Sequence, residues 1–275
     1  MIQDIYPRVL NNHYDPTIVA KPDDYVISFR GTELLYRAGE ADTLEFPKVA
    51  ECGNAKLTYL FSIDEEKYFI PETPLSGADT YTYTEIREVR KAKLGPRYRV
   101  MAAYTGKHLS EWYRDTQFCG RCGQKMVHSQ TERAMTCSCG YTAYPRIMPA
   151  VIVGVINGDK ILLTKYRNKF AYNALVAGFV EIGETAEETV AREVMEETGV
   201  RVKNIRYYKT QPWGAANDLL LGYYCDVDGD THIKMDADEL KYADWVSRED
   251  IELQPDDFSL TNEMMWRFKE GKENC

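Results

Sequence analysis

Three glutamates set the chemistry to be explained. Glu193, Glu196 and Glu197 stand at i, i+3 and i+4, so on a helix they share one face within about one turn. They lie in Gly178–Val200, GFVEIGETAEETVAREVMEETGV, which holds seven glutamates in 23 residues. Like charges at that spacing repel, and a cation is the natural neutraliser. Hard carboxylate oxygens suit Mg²⁺ or Mn²⁺. Arg192 is spaced to reach Glu196, or back to Glu188 or Glu184, and so to hold a carboxylate in orientation. The bland alternative is a solvated acidic helix face.

A second set of residues can hold a different metal. Cys119-x2-Cys122-x14-Cys137-x-Cys139 supplies four thiolates, with a glycine after Cys119, Cys122 and Cys139. Four thiolates complete a tetrahedral zinc site and leave no open position, so such a zinc is structural. The last pair is separated by a single residue, where two to four are usual, and His128 is a substitute ligand if Cys137 or Cys139 falls short. Cys52, Cys225 and Cys275 read as two buried small residues and a tail thiol.

These residues need positioning elements. Thr185 with Glu188 fits a capping box, which starts the helix near Ala186, and Gly199 fits its C-terminal stop. Ala186, Val190 and Val194 give that helix an apolar face to dock on a sheet. Pro149–Ile156 reads as a buried strand, Asn157-Gly158 as a hairpin turn, and Ile161–Tyr166 as the returning strand. Leu175–Ala177, Arg201–Thr210, Leu219–Val227 and Tyr242–Val246 read as further strands, and Ser259–Lys269 as a closing helix. Strands flanked by helices imply an α/β or α+β sandwich for 145–275.

Ahead of it, Tyr25–Phe29, Glu33–Arg37, Leu57–Ile63 and Tyr68–Ile70 suggest a small β-rich domain, with Asp64–Lys67 as a turn. Thr84–Leu94 and Val100–Gln117 read as helices separated by Gly95-Pro96. Ala102, Leu109, Trp112 and Tyr113 form an apolar stripe on the second. The expected division is 1–95, a β-rich domain; 96–145, a linker helix and cysteine cluster; and 146–275, the catalytic domain.

Composition narrows the function classes. The chain has 275 residues, 44% hydrophobic and 28% charged, with a net charge of −9. No stretch approaches the ~20 apolar residues of a membrane span. The N-terminal stretch lacks a basic segment followed by an apolar run, so a cytoplasmic location is expected. The acidic balance argues against a free-standing nucleic-acid surface, and a phosphorylated substrate would need bridging cations. Lys165, Arg167 and Lys169 are the one local basic patch singled out, and they also read as a solvated turn.

The spacing Gly178-x5-Glu184-x7-Arg192-Glu193-Val194-x-Glu196-Glu197-x-Gly199-Val200 matches, at every fixed position, the signature of the Nudix hydrolases. The cysteine cluster, Tyr144-Pro145-Arg146-Ile147-x-Pro149, Ala177–Glu181 and Gln211-Pro212-Trp213 together resemble the NADH pyrophosphatase subfamily. The resemblance covers most of the chain and is weaker in the N-terminal β domain. It implies an α/β/α sandwich with a mixed sheet, a zinc ribbon ahead of it, and a homodimer. It implies hydrolysis of NAD(H) to nicotinamide mononucleotide and AMP, and in some members removal of NAD caps from RNA 5′ ends. By resemblance, Glu193, Glu197 and the Ala177 carbonyl are metal ligands, Glu196 lies close by, and Glu239 is the additional downstream carboxylate. Glu197 or Glu239 then orients or deprotonates the attacking water. Phe179, Tyr144, Gln211 and Trp213 are candidates to contact the dinucleotide, each also a plausible core or loop residue.

The chain departs from the subfamily in one place. Ser-Gln-Pro-Trp-Pro-Phe-Pro-x-Ser becomes Thr210-Gln211-Pro212-Trp213-Gly214-Ala215-Ala216-Asn217-Asp218. The smaller residues leave room for another dinucleotide, so ADP-ribose or a dinucleoside polyphosphate is the alternative substrate. A non-catalytic nucleotide sensor is the alternative of another class, and the complete set of box carboxylates speaks against it.

Overall fold

A computed structural model describes residues 1–76, 80–167 and 172–273. The chain folds as two compact units. One comprises Ile2–Arg146 with Gly214–Asn217; the other comprises Ile147–Trp213 and Asp218–Cys275, together with Met1. Apart from Met1 and Gly214–Asn217, the two units meet in sequence between Arg146 and Ile147.

In the C-terminal unit the strands are β1 (Met148–Asn157), β2 (Lys160–Tyr166), β3 (Val176–Phe179), β4 (Val202–Trp213), β5 (Asp218–Val227) and β6 (Leu240–Ser247). They form one six-stranded sheet in the order β4-β5-β1-β2-β6, with β3 also on β1. The sheet is mixed: β1 runs parallel to β5, and the other pairs are antiparallel. The β1–β2 hairpin turns on Gly158 and Asp159, with Asn157 still paired to Lys160. The turn thus sits one residue later than expected, because Gly158 takes the positive φ of +63°.

Alternation along β1 decides what each face of the sheet buries. Val151, Val153 and Val155 face one core cluster with Leu162, Val176, Val190 and Val194. Ala150 and Ile152 face the other with Ile161, Leu163, Leu260, Met264 and Phe268. Two helices supply the last residues of each cluster: Ala186–Thr198 in the first, and Leu260–Lys269 in the second. A helix on each face of a mixed sheet is the expected α/β/α sandwich.

Among the described residues the N-terminal unit holds two small β-sheets, two α-helices and a three-stranded ribbon. Tyr25–Phe29 is not one strand. Tyr25–Val26 pairs parallel with Tyr68–Phe69, and Phe29–Arg30 pairs antiparallel with Glu33–Leu34. Between them Ser28 is fully buried, with its hydroxyl bonded to Tyr83 and to the Leu75 amide. The Asp64–Lys67 turn shortens to Asp64–Glu65, since Glu66 already pairs with Ile63.

The first helix, α1, is only Ile86–Lys91, because Thr82–Glu85 pairs as a strand with Glu33–Tyr36. The second, α2, spans Arg97–Asp115 and starts earlier than expected, directly after Pro96. Its stripe of Ala102, Leu109, Trp112 and Tyr113 is buried as core. Among the described residues, no helix is long and apolar enough to cross a membrane.

Candidate active site and zinc site

The acidic stretch folds as its caps dictate. The helix Ala186–Thr198, α3, is closed at its N-terminus by a reciprocal capping box between Thr185 and Glu188. Gly199 ends it in the left-handed region at φ 70°, with its amide bonded to Met195. Val190 and Val194 are fully buried against the sheet. This fixes the rotation of α3 and with it the depth of each carboxylate.

That depth is graded rather than uniform. Glu197 is 2% exposed as a residue, whereas the Glu196 side chain is 60% exposed and that of Glu193 13%. Burial raises the Glu197 carboxyl to about 8, and the charges of Glu193 and Glu239 add to the shift against the Tyr166 hydrogen bond. Burial likewise raises Glu193, opposed by Arg192. A carboxylate that is costly to ionise alone, beside two more acids, fits a site built to receive a cation.

Strand β3 meets this face at Gly178. A Cβ built on Gly178 would lie 1.9 Å from the Glu193 carboxyl carbon. The Glu193 carboxylate therefore occupies the space a side chain at 178 would take. One residue earlier, Ala177 pairs with Ile152, and its amide donates to the Tyr166 hydroxyl at 3.0 Å.

Arg192 is the hub of the acidic network. Its Nε and Nη2 donate to the two oxygens of Glu184 at 2.7 and 2.9 Å. Its Nη1 donates to Glu193 at 2.8 Å and Glu196 at 3.0 Å, and Nη2 also reaches the Phe179 carbonyl. Of the partners expected for it, Glu184 and Glu196 are taken, and Glu188 is absorbed by the cap. The guanidinium holds Glu184 down at about 2, well below the usual carboxylate range.

Glu239 reaches the site from another part of the chain. The amides of Lys234 and Asp236 donate to the carbonyls of Thr198 and Glu197, which closes the end of α3. The same segment continues to Leu240 at the start of β6 and carries Glu239 close enough to act on both Glu193 and Glu197. Arg167 fastens it through the carbonyls of Glu239 and Ala237. Arg167 is thus a structural tie rather than part of a basic patch; Lys165 lies over the Tyr242 ring, and Lys169 is outside the described residues.

Two features of the site were not legible in the sequence as such. Tyr166 donates to both oxygens of Glu197, at 3.0 and 3.2 Å, while accepting from the Ala177 amide. It reads as the last residue of a strand, and only the sheet shows that its hydroxyl lies under α3. The Lys234–Asp236 backbone has no sequence signal, because any residue supplies an amide.

The candidate dinucleotide contacts separate. Phe179 is half-exposed at the end of β3, beside Gly178. Gln211 and Trp213 are strand residues of β4, not loop residues. Gln211 is fully buried: its Nε2 donates to the Phe258 carbonyl and its Oε1 accepts from the Leu260 amide. It pins the segment ahead of the helix Leu260–Lys269, α4, and both ends of its amide are taken by that segment. Trp213 packs on the core cluster beneath α4. Tyr144 belongs to the N-terminal unit, where its hydroxyl donates to Glu132. Of Gly214–Asp218, the stretch that departs from the subfamily pattern, Gly214–Asn217 is held by α2. The Lys107 ammonium donates to the Ala215 carbonyl and pairs with Glu111, which also accepts from Asn217. A Cβ on Gly214 would lie 2.1 Å from the Tyr104 carbonyl oxygen, so glycine is required by that approach.

The four cysteines converge. Their sulfurs all lie within 4.8 Å of one another, with Cys119–Cys139 at 3.7 Å and Cys122–Cys137 at 3.5 Å. Sulfurs at the corners of a tetrahedron with ~2.3 Å zinc bonds are a little under 4 Å apart, so the set fits zinc. The single-residue spacing of Cys137 and Cys139 works because Gly140, at φ 84°, turns the chain back to Cys137. His128 is not needed as a ligand; its ring stacks on Tyr113 at 4.9 Å. Cys225 is buried, Cys52 is partly buried, and Cys275 lies outside the described residues. Among the described residues the box glutamates form no equally tight group, as expected for mutually repelling anions with Arg192 drawing Glu193 and Glu196 to itself.

Residues 146–265 match the model of the NUDIX domain, and residues 114–143 match that of the NADH pyrophosphatase zinc ribbon domain. Curated relatives include proteins named NAD-capped RNA hydrolase NudC. That of Klebsiella pneumoniae is 45% identical over 152 residues, which span 54% of this chain and 59% of that protein. That of Enterobacter sp. is 46% identical over 153 residues, spanning 54% and 58%. The matched region is thus less than two thirds of those relatives' length. A NUDIX hydrolase structure from Nitrosomonas europaea shares the fold, with a TM-score of 0.50 at 20% identity, covering 57% of this chain and 92% of that one. Box, sheet and ribbon agree with these matches: the chain carries a Nudix domain, with a zinc ribbon of the NADH pyrophosphatase type directly ahead of it.

Proposed function

We propose that the chain hydrolyses the pyrophosphate bond of NAD(H), releasing nicotinamide mononucleotide and AMP, and cuts the same bond at an NAD-capped RNA 5′ end. The observation that carries this reading is the buried Glu197, with Glu193 and Glu239 acting on it and the Tyr166 hydroxyl bonded to it. Bound Mg²⁺ or Mn²⁺, held by Glu193, Glu197, Glu239 and the Ala177 carbonyl, would neutralise charge on the pyrophosphate and acidify a water. Tyr166 fixes the orientation of Glu197, and Arg192 fixes that of Glu193. Glu197 or Glu239 orients the water that adds to phosphorus, and the bridging P–O bond breaks. The exposed ring of Phe179 is available to stack on a base. The names of the curated relatives support NAD-linked substrates over other nucleoside diphosphates.

The altered stretch Gly214–Asp218 favours a second reading, in which ADP-ribose or a dinucleoside polyphosphate is the better substrate. A panel of NADH, NAD, NAD-capped RNA and ADP-ribose with Mn²⁺, read by product identity, separates the two. AMP plus nicotinamide mononucleotide as the fastest-formed products supports the first; far faster turnover of ADP-ribose sinks it. Glu197→Gln tests catalysis itself and should abolish turnover; a variant as active as the native chain would take Glu197 out of the chemistry, and a native chain that turns over no substrate would leave a nucleotide-sensing role. We further propose a homodimer, to be checked by light scattering. A cytoplasmic location suits a thiolate zinc site, which a reducing compartment preserves.

A further inference from the structure

The N-terminal unit contains a cavity of about 610 Å³, lined only by residues between Phe29 and Met135. That is within the range of small-molecule sites. Its walls come from the strands around Phe29 and Ile70, from helix α2 and from the zinc ribbon. No residue of the Nudix domain takes part.

Charge and ring content single out a ligand class. Arg30, Lys56, Arg114 and Lys125 line the cavity, against one acid, Glu72. Four cations around one cavity stand out in a chain of net charge −9. Some are partly engaged: Lys56 pairs loosely with Glu72 at 3.4 Å, Arg114 with Asp115 at 2.9 Å, and Arg30 lies over Tyr83. Lys125 pairs with no carboxylate among the described residues. Clustered cations raise the local affinity for an anion, and arginine favours phosphate. The other wall is apolar and aromatic, with Phe29, Met126 and Met135 beside the stacked pair of Tyr113 and His128. Metal cations are repelled by such a lining, and a wholly apolar ligand would strip water from the charges without replacing it.

We propose that this cavity binds a mononucleotide, its phosphate among Arg30, Arg114 and Lys125 and its base against the Tyr113–His128 wall. The site is independent of the reading given to Gly178–Val200. It is a second nucleotide site on the chain, one that senses a nucleotide rather than cleaving it.

Calorimetric titration of AMP into the full chain, in metal-depleted buffer without chelator so that zinc is kept, tests it. One saturable site is expected, retained in the Glu193→Gln/Glu197→Gln chain and weakened at least tenfold in Arg114→Ala/Lys125→Ala. Inorganic phosphate should bind at least tenfold more weakly than AMP, since it has no base to stack. Both substituted side chains are exposed. If that variant does not fold, Lys56→Glu replaces it with the same expectation. The proposal is overturned by no saturable binding, by unchanged affinity in the cavity variant, by loss of binding in the glutamate variant, or by phosphate binding as tightly as AMP.

Discussion

The Tyr166 hydroxyl bonds both oxygens of Glu197 and accepts the Ala177 amide, so one side chain of β2 joins α3 to β3. Glu197 is buried and the other two are partly buried, and away from water an unmade hydrogen bond costs more than a made one gains. Tyr166→Phe should therefore lower stability by about 1–3 kcal/mol and reduce kcat at least tenfold with little change in KM. Denaturant melts and steady-state kinetics check it. Native kcat in the variant would show that Glu197 is oriented without Tyr166.

Gly178→Ala places a methyl group on the Glu193 carboxylate, 1.9 Å from its carbon. The flexible glutamate can swing away, so the fold should survive while Glu193 leaves its position. A loss of activity of a hundredfold or more, with an unchanged circular dichroism spectrum and cooperative melt, is expected. Activity within threefold of native would mean that the position of Glu193 over Gly178 is unimportant.

Arg192 donates to Glu184, Glu193 and Glu196 at once. A lysine carries the charge but not the planar fork. Arg192→Lys should fall close to Arg192→Ala in kcat. Full activity in the lysine variant would reduce the network to simple charge balance.

Gln211→Ala removes the amide that ties Phe258 and Leu260 to β4. The two freed backbone groups should cost about 1–3 kcal/mol each at most, visible as a lower denaturation midpoint. KM for NADH should stay within threefold. A large KM increase at unchanged stability would restore Gln211 to the nucleotide site.

Zinc content is predicted at one per chain by metal analysis, falling to near zero in Cys137→Ser, with a lower melting temperature. The four sulfurs are already gathered, so losing one leaves an incomplete tetrahedron. A native chain that carries no zinc would overturn the assignment.

The local chemistry was written in sequence because short-range geometry enforces it. Helix period places Glu193, Glu196 and Glu197 on one face, Thr185 and Glu188 cap each other, and Gly199 stops the helix. Alternation in β1 decides which core each residue enters. Cysteine spacing gathers four sulfurs without help from distant segments. What only the tertiary structure decided were contacts between residues far apart in the chain. Tyr166 beneath Glu197, Glu239 brought in by amides that close α3, and Gln211 turned into the core depend on sheet order and packing, which local propensity does not encode. Strand assignment failed for the same reason at Tyr25–Phe29, where the chain leaves one sheet for another, and at Thr84, where pairing with Leu34 overrides a helical pattern. Depth followed likewise: three glutamates are equal as letters, and docking of α3 through Val190 and Val194 made Glu197 buried and Glu196 exposed.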